Sequence, residues 1–187
     1  MEIRKAKTDQ DILGVLQLQD RYLYSHLSAT ERMMGFVTTP FDETQISTAL
    51  GEGGLYIATM DGKIIGYLFA GTWSYFDQWP MFSHMVTLLD KYTFEGQILS
   101  KDLTFQYGPV CLDIKFRHQG VFQLLFEYMR NEWAKYYPIS ITFINQINTH
   151  SWFAHINKLG WVGIDTFQYN GNVYHLLAYD MTKPVKS

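Results

Sequence analysis

Apolar runs flank two short turn signals. Leu55–Met60 and Lys63–Gly71 lie on either side of Asp61-Gly62, and 160–169 and 173–180 on either side of Asn170-Gly171. Both dipeptides tolerate the positive φ that a tight hairpin demands, so two antiparallel hairpins are predicted. Residues 3–7 alternate weakly and read as a short strand. Thr8 and Asp9 then offer N-cap chemistry to a helix whose apolar stripe is Ile12, Leu13, Val15, Leu16 and Leu18. Asp42-Glu43-Thr44-Gln45 has the form of a capping box that opens a helix through Leu50, ended by Gly51-Glu52-Gly53-Gly54.

Between the hairpins the pattern predicts a strand over 107–114, a helix over 120–137, a strand over 139–144 and a helix over 149–159. Strands separated by helices require at least one parallel pair, while hairpins are antiparallel. The expected architecture is α/β in the α+β sense. It has one mixed, mostly antiparallel twisted sheet with helices on both faces, in a single domain spanning 1–187. Residues 73–106 are the least regular part, with a short helix expected after Pro80. Trp73, Tyr75, Phe76, Trp79, Phe82, Tyr92, Phe94 and Phe105 crowd there. These rings either pack under an irregular cover or wall a substrate cavity.

Composition narrows the classes. With 47% hydrophobic and 18% charged residues the chain can bury a core, which excludes intrinsic disorder. A net charge of −3 argues against a nucleic-acid partner held on a basic face. The apolar runs are too short for a membrane span, and the charged start Met1-Glu2-Ile3-Arg4-Lys5 does not read as a signal peptide. The single cysteine, Cys111, excludes an intrachain disulfide and fits a reducing, cytoplasmic compartment. Between Val110 and Leu112 it reads as core rather than nucleophile. The six histidines are scattered, and His150 and His155 are five apart rather than four, so no metal site is expected.

The stretch from Tyr107 to Phe122 is strand, polar basic turn, then helix. The first N–H groups of a helix have no partner within it and carry the positive end of its dipole, which makes an anion site. Lys115 and Arg117 add charge, and Gly120 permits close approach of a phosphate. A nucleotide P-loop and a dinucleotide fingerprint both fail on the glycine spacing.

Arg117-x-x-Gly120-x-Phe122 resembles the Gln/Arg-x-x-Gly-x-Gly/Ala pyrophosphate loop of the GNAT superfamily of acyl-CoA-dependent N-acyltransferases. Asn148-x-x-Ser151-x-x-x-His155 leading into Leu159-Gly160-Trp161 resembles that superfamily's later motif, and the whole resemblance runs over 2–181. Phe122 and Trp161 depart from the pattern, and the stretch from Asn148 to Gly160 is one residue longer. The resemblance implies a splay between two parallel central strands that receives acetyl-CoA. Backbone groups of Leu112, Asp113 and Ile114 would meet the pantetheine. Arg117, His118, Gln119, Gly120, Val121, Phe122 and Gln123 would hold the pyrophosphate. Asn148 and Ser151 would contact the pantetheine or its thioester end, a role compatible with Asn148 as a plain N-cap.

The resemblance makes His155 the general acid, with Tyr107 as the alternative donor, and leaves the base open. Gln106 stands where a carboxylate is common in such enzymes. The acceptor, a small-molecule or peptide primary amine, would sit among Arg32, Met33, Phe36 and Phe41 with Trp73, Tyr75 and Trp79 opposite. Rings there suit a hydrophobic or cationic amine. The helix after the loop carries two apolar stripes, Val121/Leu124/Leu125/Tyr128 and Phe122/Phe126/Met129/Trp133. One stripe must face the sheet, and the other needs cover, either from the aromatic segment or from another copy in a homodimer. The alternative to an enzyme is a CoA-binding sensor or interaction module on the same fold without catalysis.

Overall fold

The computed structural model describes residues 1–185. Its main sheet has seven strands in the order β1-β2-β3-β6-β7-β9-β8, where β1 is Glu2–Lys5, β2 Leu55–Met60, β3 Lys63–Gly71, β6 Thr104–Leu112, β7 Ile139–Asn145, β8 Val162–Tyr169 and β9 Asn172–Asp180. A separate two-stranded ribbon, β4 (Thr93–Phe94) and β5 (Gln97–Ile98), closes the aromatic segment. The helices are α1 (Asp9–Tyr22), α2 (Ala29–Arg32), α3 (Glu43–Gly51), α4 (Trp73–Phe76), α5 (Pro80–Val86), α6 (Val121–Trp133) and α7 (Thr149–Ala154), the last running on as a π-helical turn, His155–Leu159.

Local chemistry sets these limits. Thr8 and Asp11 form a reciprocal capping box at α1, as Asp42 and Gln45 do at α3. Asp61 and Gly62, and Asn170 and Gly171, all take positive φ at the two hairpin turns. Both hairpins and both capped helices match the sequence pattern.

One face of the sheet is packed by α1, α3 and the aromatic segment, where Ile12, Val15, Leu18 and Ile46 meet Ile57, Tyr67, Phe69 and Cys111. On the other face Leu125, Phe126 and Met129 of α6 meet Tyr56, Leu68 and Tyr107. Phe122 and Trp133 pack against this second core, while Leu124 and Tyr128 are exposed. The stripe Phe122/Phe126/Met129/Trp133 is thus the one that faces the sheet, and the other keeps Leu124 and Tyr128 at the surface. Trp73 and Tyr75 are buried, and Trp79 packs against the α1 core, so these rings serve as cover.

Two irregularities interrupt the centre of the sheet. β6 and β7 are parallel and pair only from Thr104↔Ile139 to Gln106↔Ile141, after which they part. The register of β6 against β3 also shifts, from Leu68↔Val110 to Ala70↔Tyr107, so β6 carries one extra residue at Gly108-Pro109. This bulge puts Tyr107 on the α6 face and Cys111 on the α1 face, although their spacing would otherwise put them on one side. The strand predicted over 107–114 starts earlier and stops at Leu112, because Asp113 caps a 3-10 turn at Ile114–Phe116 by accepting the Lys115 N–H.

Candidate active site

Where β6 and β7 part, a cleft of about 710 Å³ opens, floored by Val110 to Leu112 and walled by the Arg117–Gln123 turn, by Gly35 to Val37 and by His150 to Lys158. A second hollow of about 480 Å³ lies along the same gap, between 107–110 and 142–145. Phe36, Val37, Val110, Ser151 and His155 line both.

Positive φ at His118 (+62°) and Gly120 (+78°) curls the turn into the start of α6, which has no side-chain cap. Six consecutive N–H groups, His118 to Gln123, find no hydrogen-bond partner among the described residues. Such a row with a helix dipole behind it fits an anion with several oxygens. Around it stand Arg117, Lys158, His118 and His150. Lys158 Nζ lies 3.3 Å from His118 Nδ1. Burial, then the charges of Arg117, Lys158 and His118, lower the pKa of His150. Arg117 donates from Nε to the Leu112 carbonyl (3.2 Å) and from Nη1 to the Met34 carbonyl, so it also ties the 33–37 loop across the cleft.

The floor alternates. Asp113 donates its N–H to Ile65 O (2.8 Å) on the β3 side, so the backbone groups of Leu112 and Val110 turn toward the gap. Ile114 does not offer its backbone as expected. Its N–H goes to Tyr22 Oη (2.9 Å) and its carbonyl accepts from Arg117 N (3.3 Å). Asp113 is equally committed, with its carboxylate accepting from Arg21 Nη1 (3.0 Å), Tyr22 Oη (3.4 Å) and Lys115 N (3.0 Å).

At the junction of the two hollows lies a buried chain of hydrogen bonds. His155 Nδ1 sits 2.7 Å from the Ser151 carbonyl, so that nitrogen carries the proton, and Nε2 accepts from the Tyr107 hydroxyl at 3.2 Å. Phe122 packs its ring edge-on to His155 at 5.2 Å, so its side chain faces this chain of bonds rather than the 117–120 turn. Burial pushes the imidazole down to about 4 and lifts the Tyr107 phenol well above its ordinary value. His155 is thus held neutral, not as the imidazolium that an acid needs. Asn148 caps α7, with Oδ1 accepting from Ser151 N (3.3 Å) and Nδ2 donating to Phe36 O (3.0 Å), and so holds the 35–37 turn over the gap.

The acceptor residues read from the sequence divide. Phe36 lines the gap. Arg32 instead stacks 3.8 Å over Tyr24, Trp73 donates to Thr104 Oγ1 (2.9 Å), Tyr75 donates to Gln45 O (2.9 Å), and Trp79 packs on Phe41. None of these four lines either hollow. The sequence reading missed Val110, His150 and Lys158, and on the other side Thr142, Phe143 and Asn145. His150, Ala154 and Lys158 recur every four residues, and that spacing was the available signal. Among the described residues no group of three His, Cys, Asp or Glu could hold a metal ion, and no helix is long and apolar enough to cross a membrane.

No protein-family model and no curated protein matches the chain in sequence. Solved structures do match. A ribosomal-protein-alanine N-acetyltransferase from Brucella melitensis has 16% identity and a TM-score of 0.61, over 96% of this chain and 99% of that one. The yncA protein of Salmonella typhimurium, solved with its cofactor acetyl-CoA, has 13% identity and a TM-score of 0.64, over 100% and 97%. A GNAT-family acetyltransferase from Streptococcus agalactiae has 13% identity and a TM-score of 0.64, over 100% and 95%. The seven-stranded sheet, with its one parallel pair parting over a basic turn, is the fold of the GNAT acetyltransferases.

Proposed function

We propose that the chain is an acyl-CoA-dependent N-acyltransferase that moves an acetyl group from acetyl-CoA to a primary amine in a ternary complex. The observation that carries this reading is the row of unpartnered N–H groups from His118 to Gln123, open to the gap between β6 and β7. The N–H row with Arg117 and Lys158 receives the diphosphate, and the gap-facing backbone of Val110 and the N–H of Leu112 meet the pantetheine as a neighbouring strand would. Acetyl-CoA supplies an activated thioester at the junction. There Tyr107 is the group with a proton to give. Its hydroxyl can turn from His155 Nε2 toward the departing sulfur, and neutral His155, fixed by the Ser151 carbonyl, positions it.

The test is thermal stabilisation. Acetyl-CoA at a hundred times its Kd adds about 2.7 kcal/mol, or roughly 5–10 °C in Tm for a chain this long. Gly120→Asp, which sets a carboxylate beside the N–H row, removes most of that shift. An unshifted Tm for the parent chain would end the proposal. A large shift with no thiol release on adding any amine would favour a CoA-binding sensor.

A further inference from the structure

The acceptor side of the gap differs from what the aromatic content of the sequence suggested. Its wall combines Phe36, Pro109 and Phe143 with the uncharged polar side chains Thr142, Asn145 and Asn148. Among the described residues no Asp, Glu, Lys or Arg lines it. The coenzyme side carries Arg117, Lys158, His118 and His150 and no carboxylate. The nearest acid by sequence, Asp113, belongs to the β3 side and is taken up by Arg21 and Tyr22. An ammonium entering this gap would leave water, meet no counter-charge and face a cationic neighbour, a costly transfer.

Resting on the acetyltransfer reading, we infer that the acceptor is an aromatic amine of low basicity, uncharged at neutral pH, and not an alkylammonium. The flat apolar part lies between Phe36 and Phe143, and the amide of Asn145 and the hydroxyl of Thr142 meet its polar substituents. The chemistry of the junction agrees. The titratable groups facing the acceptor are Tyr107 and His155, one a phenol shifted up and the other an imidazole at about 4. Neither can take a proton from an alkylammonium, whose pKa is near that of lysine. The gap is about six pKa units, a factor of about a million. A neutral arylamine needs no such step. Its nitrogen forms the new C–N bond, the thioester C–S bond breaks, and the N–H proton ends on the sulfur. The products are the N-aryl acetamide and CoA thiol.

Two isomers separate the cases. 4-Methylaniline and benzylamine have the same formula, but the first is neutral at pH 7 and the second an ammonium. With saturating acetyl-CoA, kcat/KM from thiol release should favour 4-methylaniline at least tenfold at pH 7. It should stay flat with pH for that amine and climb about tenfold per unit from pH 7 to 9 for benzylamine, as the neutral fraction grows. Asn145→Asp keeps the oxygen that accepts the Ile147 N–H (3.1 Å) and adds a charge. It should raise benzylamine turnover about tenfold relative to 4-methylaniline. Benzylamine used as well as, or better than, its isomer at pH 7 would overturn the inference. So would thiol release from neither amine while acetyl-CoA still raises Tm, an outcome that leaves the coenzyme site intact. Absence of the Tm shift itself would overturn the underlying acetyltransferase reading.

Discussion

His155 shows how far surroundings decide a side chain's chemistry. Its position four residues after Ser151 lets Nδ1 reach the Ser151 carbonyl, and the bulge in β6 brings the Tyr107 hydroxyl to Nε2. The folded imidazole titrates at about 4 against an ordinary 6.5. Below about 6.5 the unfolded chain therefore takes up a proton that the folded chain refuses. The stability tied to this group is complete above pH 6.5 and drains away as the pH falls toward 4, by about 3 kcal/mol in all. His155→Gln, which can still donate to Ser151 O and accept from Tyr107, should lose about that much less stability between pH 6.5 and 4 than the parent, read by urea denaturation. Superimposable pH profiles would show that His155 titrates as a solvated histidine. The residue's place was legible in the motif spacing. Its charge state was not, because it depends on Phe122, Tyr107 and Trp161, which the chain brings from three separate elements.

At the scale of elements, junctions carry more information than the elements themselves. The helix that Asn148 opens ends in a π-helical turn, His155–Leu159. Periodicity alone predicts a continuous helix there. The capped helices and Asp-Gly and Asn-Gly hairpins were readable because each is fixed by residues adjacent in sequence. The bulge at Gly108-Pro109 was not, since it is defined against β3, some forty residues away. The turn from α3 into β2 is another such junction. A Cβ on Gly54 would lie 2.0 Å from the Ala70 carbonyl oxygen, which is backbone and cannot rotate aside. Gly54→Ala should therefore cost about 3 kcal/mol or more, seen as a lower midpoint in urea. Gly51→Ala, with nothing within 4 Å of its added carbon, should be near neutral in the same assay.

Over the whole molecule, the aromatic content of 17% reads as a bulky core more than as a ring-lined pocket. Trp73, Tyr75 and Trp79 insulate the α1 face, and the hollow between β6 and β7 draws on β7 and the 35–37 turn instead. The presence of a parallel pair followed from the succession of elements; the strand order did not. The polar lining of the hollow followed from nothing local, because Thr142 and Asn145 gain meaning only once β6 moves away from them. That parting makes the sheet two half-sheets joined like a zip fastened at one end, with three residue pairs holding them. Beyond those pairs, the amides of 107–112 and 142–145 that point away from β3 and β9 face the gap. A pantetheine arm laid between them would act as the missing slider. Deuterium uptake in both segments should slow together when acetyl-CoA is added, and the two halves of the protein should breathe as one body only while the coenzyme is bound.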